Sequence, residues 1–285
     1  MIMEVEAPCG GNAGEGRWSK LASSRAVANV QALAASAAEE LTADTIERYI
    51  QPDIDAHTVL AEHSDEVPVI DLAKLLNAET VEDEAARLKF ACEEWGFFQV
   101  VNHGVPDEVI VDIKHNLHKF FELPLDVKNA YARRPGDLQG YGQAFILSDD
   151  QKLDWADMFG IFTQPPEARD MSYWSTQPAT FRMNYYPPCT STPEKVLGFS
   201  PHSDGSFITI LLEVNSVPGL QIRRHGAWIP VKPRGDALLV NVGDFLEIMT
   251  NGRVLYKTMT VEEYARLYLS NKPDGKSNLD YAKLS

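Results

Sequence analysis

His202-Ser203-Asp204 is the stretch whose residue types and spacing are best suited to holding a metal ion. Residues two apart on an extended strand project to the same side, so the His202 imidazole and the Asp204 carboxylate can meet one cation. A second imidazole would complete the two-His, one-carboxylate arrangement that binds iron(II) and leaves coordination positions open for other molecules. The sequence does not provide that imidazole in an obvious place. The only His after Asp204 is His225, within Arg223-Arg224-His225-Gly226-Ala227-Trp228, which reads as a hairpin tip. His103, between Asn102 and Gly104, reads as a turn residue, and His57, His63, His115 and His118 fall in helical or linker segments where solvation is expected.

The other reactive groups are weaker candidates. Asp244 and Glu247 form a carboxylate pair near the end of an apolar run, a placement that suits a structural role. Cys189 follows two prolines and has no His beside it to activate a thiol. With Cys9 and Cys92 it makes neither a C-x-x-C pair nor a disulfide framework, which fits a reducing cytoplasmic setting. Twenty-six basic residues against 41 acidic ones leave a net charge of −15, which opposes attraction to nucleic acid or to an anionic membrane. No apolar run is long enough to cross a bilayer.

The elements that must position His202 and Asp204 lie on both sides of them. Residues 1–24 contain Gly10-Gly11-Asn12-Ala13-Gly14-Glu15-Gly16 with no strand expected before it, and read as a flexible tail. Val27 to Leu41 is rich in helix formers, and Val67-Pro68-Val69-Ile70-Asp71-Leu72 suggests a short strand. A helix capped by Thr80 carries Ala85, Leu88, Cys92 and Trp95 at helical spacing and stops at Gly96, before the strand Phe97-Phe98-Gln99-Val100-Val101. Another, from Pro106 to Pro124, lines up Ile110, Ile113, Leu117, Phe120 and Phe121. Trp155 to Phe162 reads as a strand. From Tyr185 onward, short strands separated by Pro and Gly (Phe207–Leu212, Leu220–Ile222, Trp228–Val231, Ala237–Asn241) point to an antiparallel sandwich or barrel. Thr260-Val261-Glu262-Glu263 is a capping box for a last helix bearing Tyr264, Leu267 and Tyr268.

The ordered motifs Pro68-Val69-Ile70-Asp71-Leu72, Trp95-Gly96-Phe97-Phe98, Asn102-His103-Gly104, Met183-Asn184-Tyr185-Tyr186-Pro187-Pro188-Cys189, His202-Ser203-Asp204, Pro218-Gly219-Leu220-Gln221 and Asn241-Val242-Gly243-Asp244-Phe245-Leu246-Glu247 together resemble the plant 2-oxoglutarate- and iron(II)-dependent dioxygenases. The resemblance runs from Val27 to Leu284 and is closest to the norcoclaurine-synthase-like and senescence-related branch. It implies a mixed α+β chain with a double-stranded β-helix, or jelly-roll, core and surrounding helices. It also implies iron(II) held by His202 and Asp204, and 2-oxoglutarate as co-substrate contacted by Asn184 and Tyr186. The catalytic machinery would be the metal and its ligands alone. The implied substrate is a small plant metabolite, changed by hydroxylation, demethylation or desaturation.

Two joins depart from that pattern. The family's long helix has no counterpart between Phe181 and Arg182, and the strands carrying its distal His and Arg-x-Ser pair have none between Arg253 and Val254. The expected organisation is therefore a tail (1–24), an N-terminal helical and strand region (25–181), an incomplete jelly roll (182–253), and a C-terminal helix and tail (254–285). Missing closing strands would leave an open sheet edge through which the chain could associate. The expected activity is an impaired oxygenase, and the alternative is a non-catalytic short isoform that binds a small molecule or a full-length paralogue.

Overall fold

The computed structural model describes residues 1–6, 25, 27–36, 43–52, 54, 66–134, 137, 139–144, 146, 148–162, 180–215 and 217–250. Ten strands are present among them: β1 (Ile2–Glu6), β2 (Val69–Asp71), β3 (Phe97–Val101), β4 (Gly140–Tyr141), β5 (Asp157–Phe162), β6 (Thr180–Tyr185), β7 (Ile208–Glu213), β8 (Gln221–Arg224), β9 (Ala227–Pro230) and β10 (Leu238–Val242). Eight form one sheet in the order β2-β3-β10-β7-β1-β6-β5-β4, while β8 and β9 form a separate hairpin. All pairs are antiparallel except β2 with β3.

Alternation along the central strands sends side chains to two faces. The helices are α1 (Val30–Ala35), α2 (Ala43–Glu47), α3 (Leu72–Leu75), α4 (Val81–Phe90), α5 (Asp107–Glu122), α6 (Leu125–Asn129) and α7 (Asp244–Thr250), and one face of the sheet meets α5, whose Leu117 and Phe121 pack with Tyr141, Phe159, Ile161, Met183 and Leu212. The helix amphipathicity seen in the sequence is what makes this contact, with Ile110, Ile113 and Phe120 at its margin. On the opposite face Leu211 and Leu239 pack with Ile222 and Ile229 of the hairpin and with Val67 and Val231. His225 and Gly226 form the hairpin tip with positive φ values of 49° and 82°, as their turn composition suggested.

Several local expectations are corrected. Ile2–Glu6 is a strand inside the main sheet, paired on both sides, and not part of a tail. The helix expected over Val27–Leu41 is described only as Val30–Ala35 (α1), opened by Asn29, whose side chain accepts from the Ala32 amide. The strand near Val67 is shorter than expected because Asp71 turns the chain, accepting from the Ala73 and Lys74 amides at the start of a helical turn, Leu72–Leu75. Thr80 does precede a helix (Val81–Phe90), but its hydroxyl donates to the Lys74 carbonyl and leaves the helix uncapped by a side chain. A π-helical turn, Ala91–Trp95, follows and ends at Gly96 with φ of 67°. Asn102, also at positive φ, donates to Asp71, so the Asn-His-Gly and Ile-Asp-Leu motifs brace each other. The helix expected after Thr260 lies outside the described residues.

Candidate metal centre

The site is assembled at one end of the central strands. β7 and β10 pair so that Thr209 lies directly opposite Asn241, and both side chains reach the same carboxylate. Thr209 Oγ1 donates to Asp204 Oδ2 at 2.6 Å, and Asn241 Nδ2 donates to it at 2.7 Å. The Asp204 carbonyl accepts from the Asp244 amide at 2.7 Å, and Ser203 Oγ donates to Asp244 Oδ2 at 3.0 Å. Asp204 is thus held by side chain and backbone at once, so one of its oxygens is committed and the other is aimed. Asp244 is structural, as its sequence context suggested. It opens helix α7 (Asp244–Thr250), on which Glu247 also lies.

A close approach of backbones makes this arrangement possible. A Cβ placed on Gly243 would lie 2.0 Å from the Ser206 carbonyl oxygen, so no larger residue fits beside the Asp204 loop without displacing it. The Gly243 amide donates to the Phe207 carbonyl at 2.8 Å, and the Phe245 amide donates to the Ser206 carbonyl at 3.2 Å. The Val242-Gly243-Asp244 segment is therefore the backbone mould of the loop that carries Asp204.

His202 stands beside the aimed oxygen. Its Nε2 is 3.4 Å from Asp204 Oδ1, while Nδ1 is 2.8 Å from the Ser200 carbonyl oxygen. A neutral ring that donates from Nδ1 to Ser200 presents the lone pair of Nε2 toward Asp204, the tautomer a metal ligand requires. Ser200 is itself fixed, its amide and hydroxyl both donating to Asp154. The Phe199 ring meets the imidazole edge-on at 4.4 Å. Asp204 Oδ1 is buried and accepts no hydrogen bond from the described residues.

Arg182 on β6 completes the charge balance, with Nη2 3.9 Å from Asp204 Oδ1 and its guanidinium 5.5 Å from the centre of the Phe199 ring. For Asp204, burial opposes ionisation, but His202, the Arg182 charge and the Thr209 hydrogen bond outweigh it and hold the carboxyl well below the usual range. For His202, burial works against the imidazolium, yet Asp204 overcomes it and raises the imidazole above its ordinary value. The pair therefore favours an ionised carboxylate beside the imidazole.

The four residues singled out in the sequence are only partly gathered. His202 and Asp204 are adjacent, but the loop before β7 brings them together and not an extended strand. Asn184 lies on the Arg182 side of β6 by alternation and is fully buried, with neither amide atom hydrogen-bonded to a described residue. Tyr186 packs at the margin of the Leu211, Ile222 and Ile229 cluster and against Gly198. No cluster of three or more His, Cys, Asp or Glu side chains occurs among the described residues, so neither His103 nor His225 joins the pair. Sequence reasoning passed over Thr209, Asn241 and Arg182. Their signal was polar side chains at inward positions of otherwise apolar strands, which a period-of-two reading of β7 and β10 exposes.

The chain is similar to known proteins along most of its length. Residues 67–185 match the family described as non-haem dioxygenase in morphine synthesis N-terminal, and residues 178–263 match the 2OG-Fe(II) oxygenase superfamily. The chain is 40% identical over 273 positions to 2-oxoglutarate-dependent dioxygenase 11 of Oryza sativa subsp. japonica, covering 80% of this chain and 76% of the relative. It is 38% identical over 276 positions to S-norcoclaurine synthase 1 of Coptis japonica, covering 82% and 77%. In both alignments the positions outnumber the residues this chain contributes, so each relative has stretches with no counterpart here. The crystal structure of JOX2 in complex with 2OG, Fe and JA superposes with a TM-score of 0.77 at 27% identity, over 92% of this chain and 99% of that one. The two-layered β architecture is that of the jelly-roll oxygenases, and the partners gathered around Asp204 are the local reason the motifs are read together: this chain belongs to the 2-oxoglutarate- and iron(II)-dependent oxygenase superfamily.

Proposed function

We propose that the chain keeps the part of an oxygenase site that grips the metal, through His202 and Asp204, and turns over poorly or not at all. The observation that carries this reading is the His202–Asp204 pair itself. An imidazole nitrogen and a carboxylate oxygen lie 3.4 Å apart, and that oxygen is buried without a hydrogen bond, which suits a shared cation. Asn184, buried with its amide unsatisfied, and Tyr186 are the residues proposed to contact 2-oxoglutarate. Iron bound there would supply oxygen activation coupled to decarboxylation of 2-oxoglutarate. The chain's own share is to orient the ligands through Thr209, Asn241 and Ser200 and to keep the carboxylate ionised.

Impairment is supported by the count of imidazoles. His225 is the only His after Asp204, and it sits at the tip of the β8–β9 hairpin. Two protein ligands hold an open-coordination ion less firmly than three. No Arg-x-Ser follows Arg253 in the sequence to anchor a distal carboxylate through a charge-assisted pair. Relatives named as a thebaine 6-O-demethylase and an S-norcoclaurine synthase support a substrate among small plant metabolites. The second reading, a non-catalytic binder of a small molecule or of a full-length paralogue, rests on the same missing imidazole. It differs in needing no turnover at all.

Succinate formation from 2-oxoglutarate, measured with iron(II) and ascorbate, tests the proposal. The expected result is no release above that of a His202→Ala control, together with iron(II) binding that weakens further in that control. Iron-dependent succinate release by the unmodified chain, abolished in Asp204→Ala, would overturn the impaired reading. Unchanged metal affinity in both variants would overturn the assignment of the site.

A further inference from the structure

β1 is the first element of the chain, yet it occupies the middle of the main sheet. Ile2–Glu6 pairs antiparallel with β6 from Ile2 opposite Asn184 to Glu6 opposite Thr180, and antiparallel with β7 from Ile2 opposite Glu213 to Glu6 opposite Thr209. The ladder continues past its start, where the Val214 amide donates to the Met1 carbonyl at 3.0 Å. Its two neighbours are joined to each other by the loop that carries His202 and Asp204, and in the sheet order they touch only through β1.

From this placement we infer that the gap between β6 and β7 is a β-strand-binding slot whose occupant is the chain's own residues 1–6, supplied as a detachable strand. Neighbouring strands lie roughly 4.8 Å apart, so β6 and β7 are about two spacings apart and cannot reach each other's hydrogen-bonding groups while the sheet keeps its form. Both run antiparallel to β1 and hence parallel to one another. Closing the gap would require a different, parallel ladder, so an extended segment of about five residues entering antiparallel is the chemistry the slot accepts. Without it, the facing N–H and C=O groups of both strands would be left unpaired beside buried Met183, Asn184, Thr209 and Leu212.

Its distance along the chain from both neighbours makes the occupant detachable. It is separated from both neighbours by more than 170 residues of chain. The same strand also spaces the site, since Arg182 and Asn184 belong to β6 while Thr209, which bonds Asp204, belongs to β7. In register, Glu4 stands opposite Arg182 and Glu6 opposite Thr209. The inference does not depend on metal binding, and its readouts are backbone ones.

The test uses three proteins: the intact chain, a chain lacking residues 2–6, and a Glu4→Pro variant, in which the middle of the strand loses its amide proton. In the intact chain, amides of residues 2–6, 180–185 and 208–213 should exchange slowly together. In the shortened chain and in Glu4→Pro, exchange in 180–185 and 208–213 should rise roughly tenfold or more, as expected when one cooperative unit opens, with little change in the β8–β9 hairpin. Added peptide Met-Ile-Met-Glu-Val-Glu should restore protection to the shortened chain saturably, and the same peptide with proline at its fourth position should not. If the shortened chain is insoluble, refolding with the peptide should recover soluble protein, again not with the proline peptide. Fast exchange of residues 2–6 in the intact chain, unchanged protection of β6 and β7 after deletion or in Glu4→Pro, or failure of the peptide to rescue or recover the shortened chain would each overturn the inference.

Discussion

The Asp204 carboxylate divides its work between two oxygens: Oδ2 takes hydrogen bonds from Thr209 and Asn241, and Oδ1 faces His202 and Arg182. Replacing Thr209 with Val keeps the shape but removes a buried donor, leaving Asn241 as the remaining side-chain donor to Oδ2. Chemical denaturation should show a loss of about 1–3 kcal/mol, and metal affinity should fall on the order of tenfold or more because the carboxylate is no longer held in one orientation. Unchanged metal affinity with lowered stability would show that Thr209 supports the fold alone. A second residue-scale effect belongs to Tyr49, buried beside Trp155, where burial outweighs a hydrogen bond from Gln143 and pushes the phenol up to about 12. Its folded value lies above the ordinary 10.0, so its contribution to stability is complete below pH 10 and is lost as pH rises through about 12. Comparing the alkaline unfolding of the protein with that of Tyr49→Phe checks the sign: the variant should lose less stability between those limits.

At the scale of elements, the Asp204 loop depends on the turn between β10 and α7. Gly243 lies so close to the Ser206 carbonyl that an added methyl group has nowhere to go, and the obstruction is backbone and not a flexible side chain. Gly243→Ala is therefore expected to destabilise the chain by roughly 2 kcal/mol or more and to disturb metal binding with it. Thermal unfolding and metal titration of that variant are the measurements. A variant of normal stability and affinity would mean that the loop can retreat at no cost. The Asn241-Val242-Gly243-Asp244 motif was legible as a family signature, but its physical content was not, because the clash involves residues 206 and 243, far apart in sequence.

Across the whole molecule, Asp157 on β5 ties the first helix to the sheet. Its two oxygens accept the Val30 amide at 2.9 Å and the Gln31 amide at 2.7 Å, capping α1 from more than 120 residues away. Burial raises this carboxyl, and the amide bonds and the Lys128 charge only partly offset it. Lys128 Nζ in turn donates to the Phe121 carbonyl at 2.9 Å and to Gln31, joining the end of α5 to the same point. Asp157→Ala should cost about 2–4 kcal/mol, since it leaves the Val30 and Gln31 amides without their acceptor. Hydrogen exchange should show residues 30–35 opening first, and uniform loosening of the sheet instead would place the role of Asp157 elsewhere.

The sequence by itself determined the family, the strand-rich second half, the amphipathic α5 and the pairing of His202 with Asp204, because each rests on local spacing or on motifs that keep their order. That His225 is the one His after Asp204 is likewise a matter of counting. What the tertiary structure decided is how Asp204 is held, since Thr209 and Asn241 meet only through the register of β7 with β10, and how β6 is joined to β7. Ile2–Glu6 is an isolated apolar and acidic run of five residues, and the glycine-rich stretch after it suggests a tail. A strand's stability comes from its neighbours' unpaired backbone groups, and those neighbours lie at positions 180–185 and 208–213, beyond the reach of any local pattern.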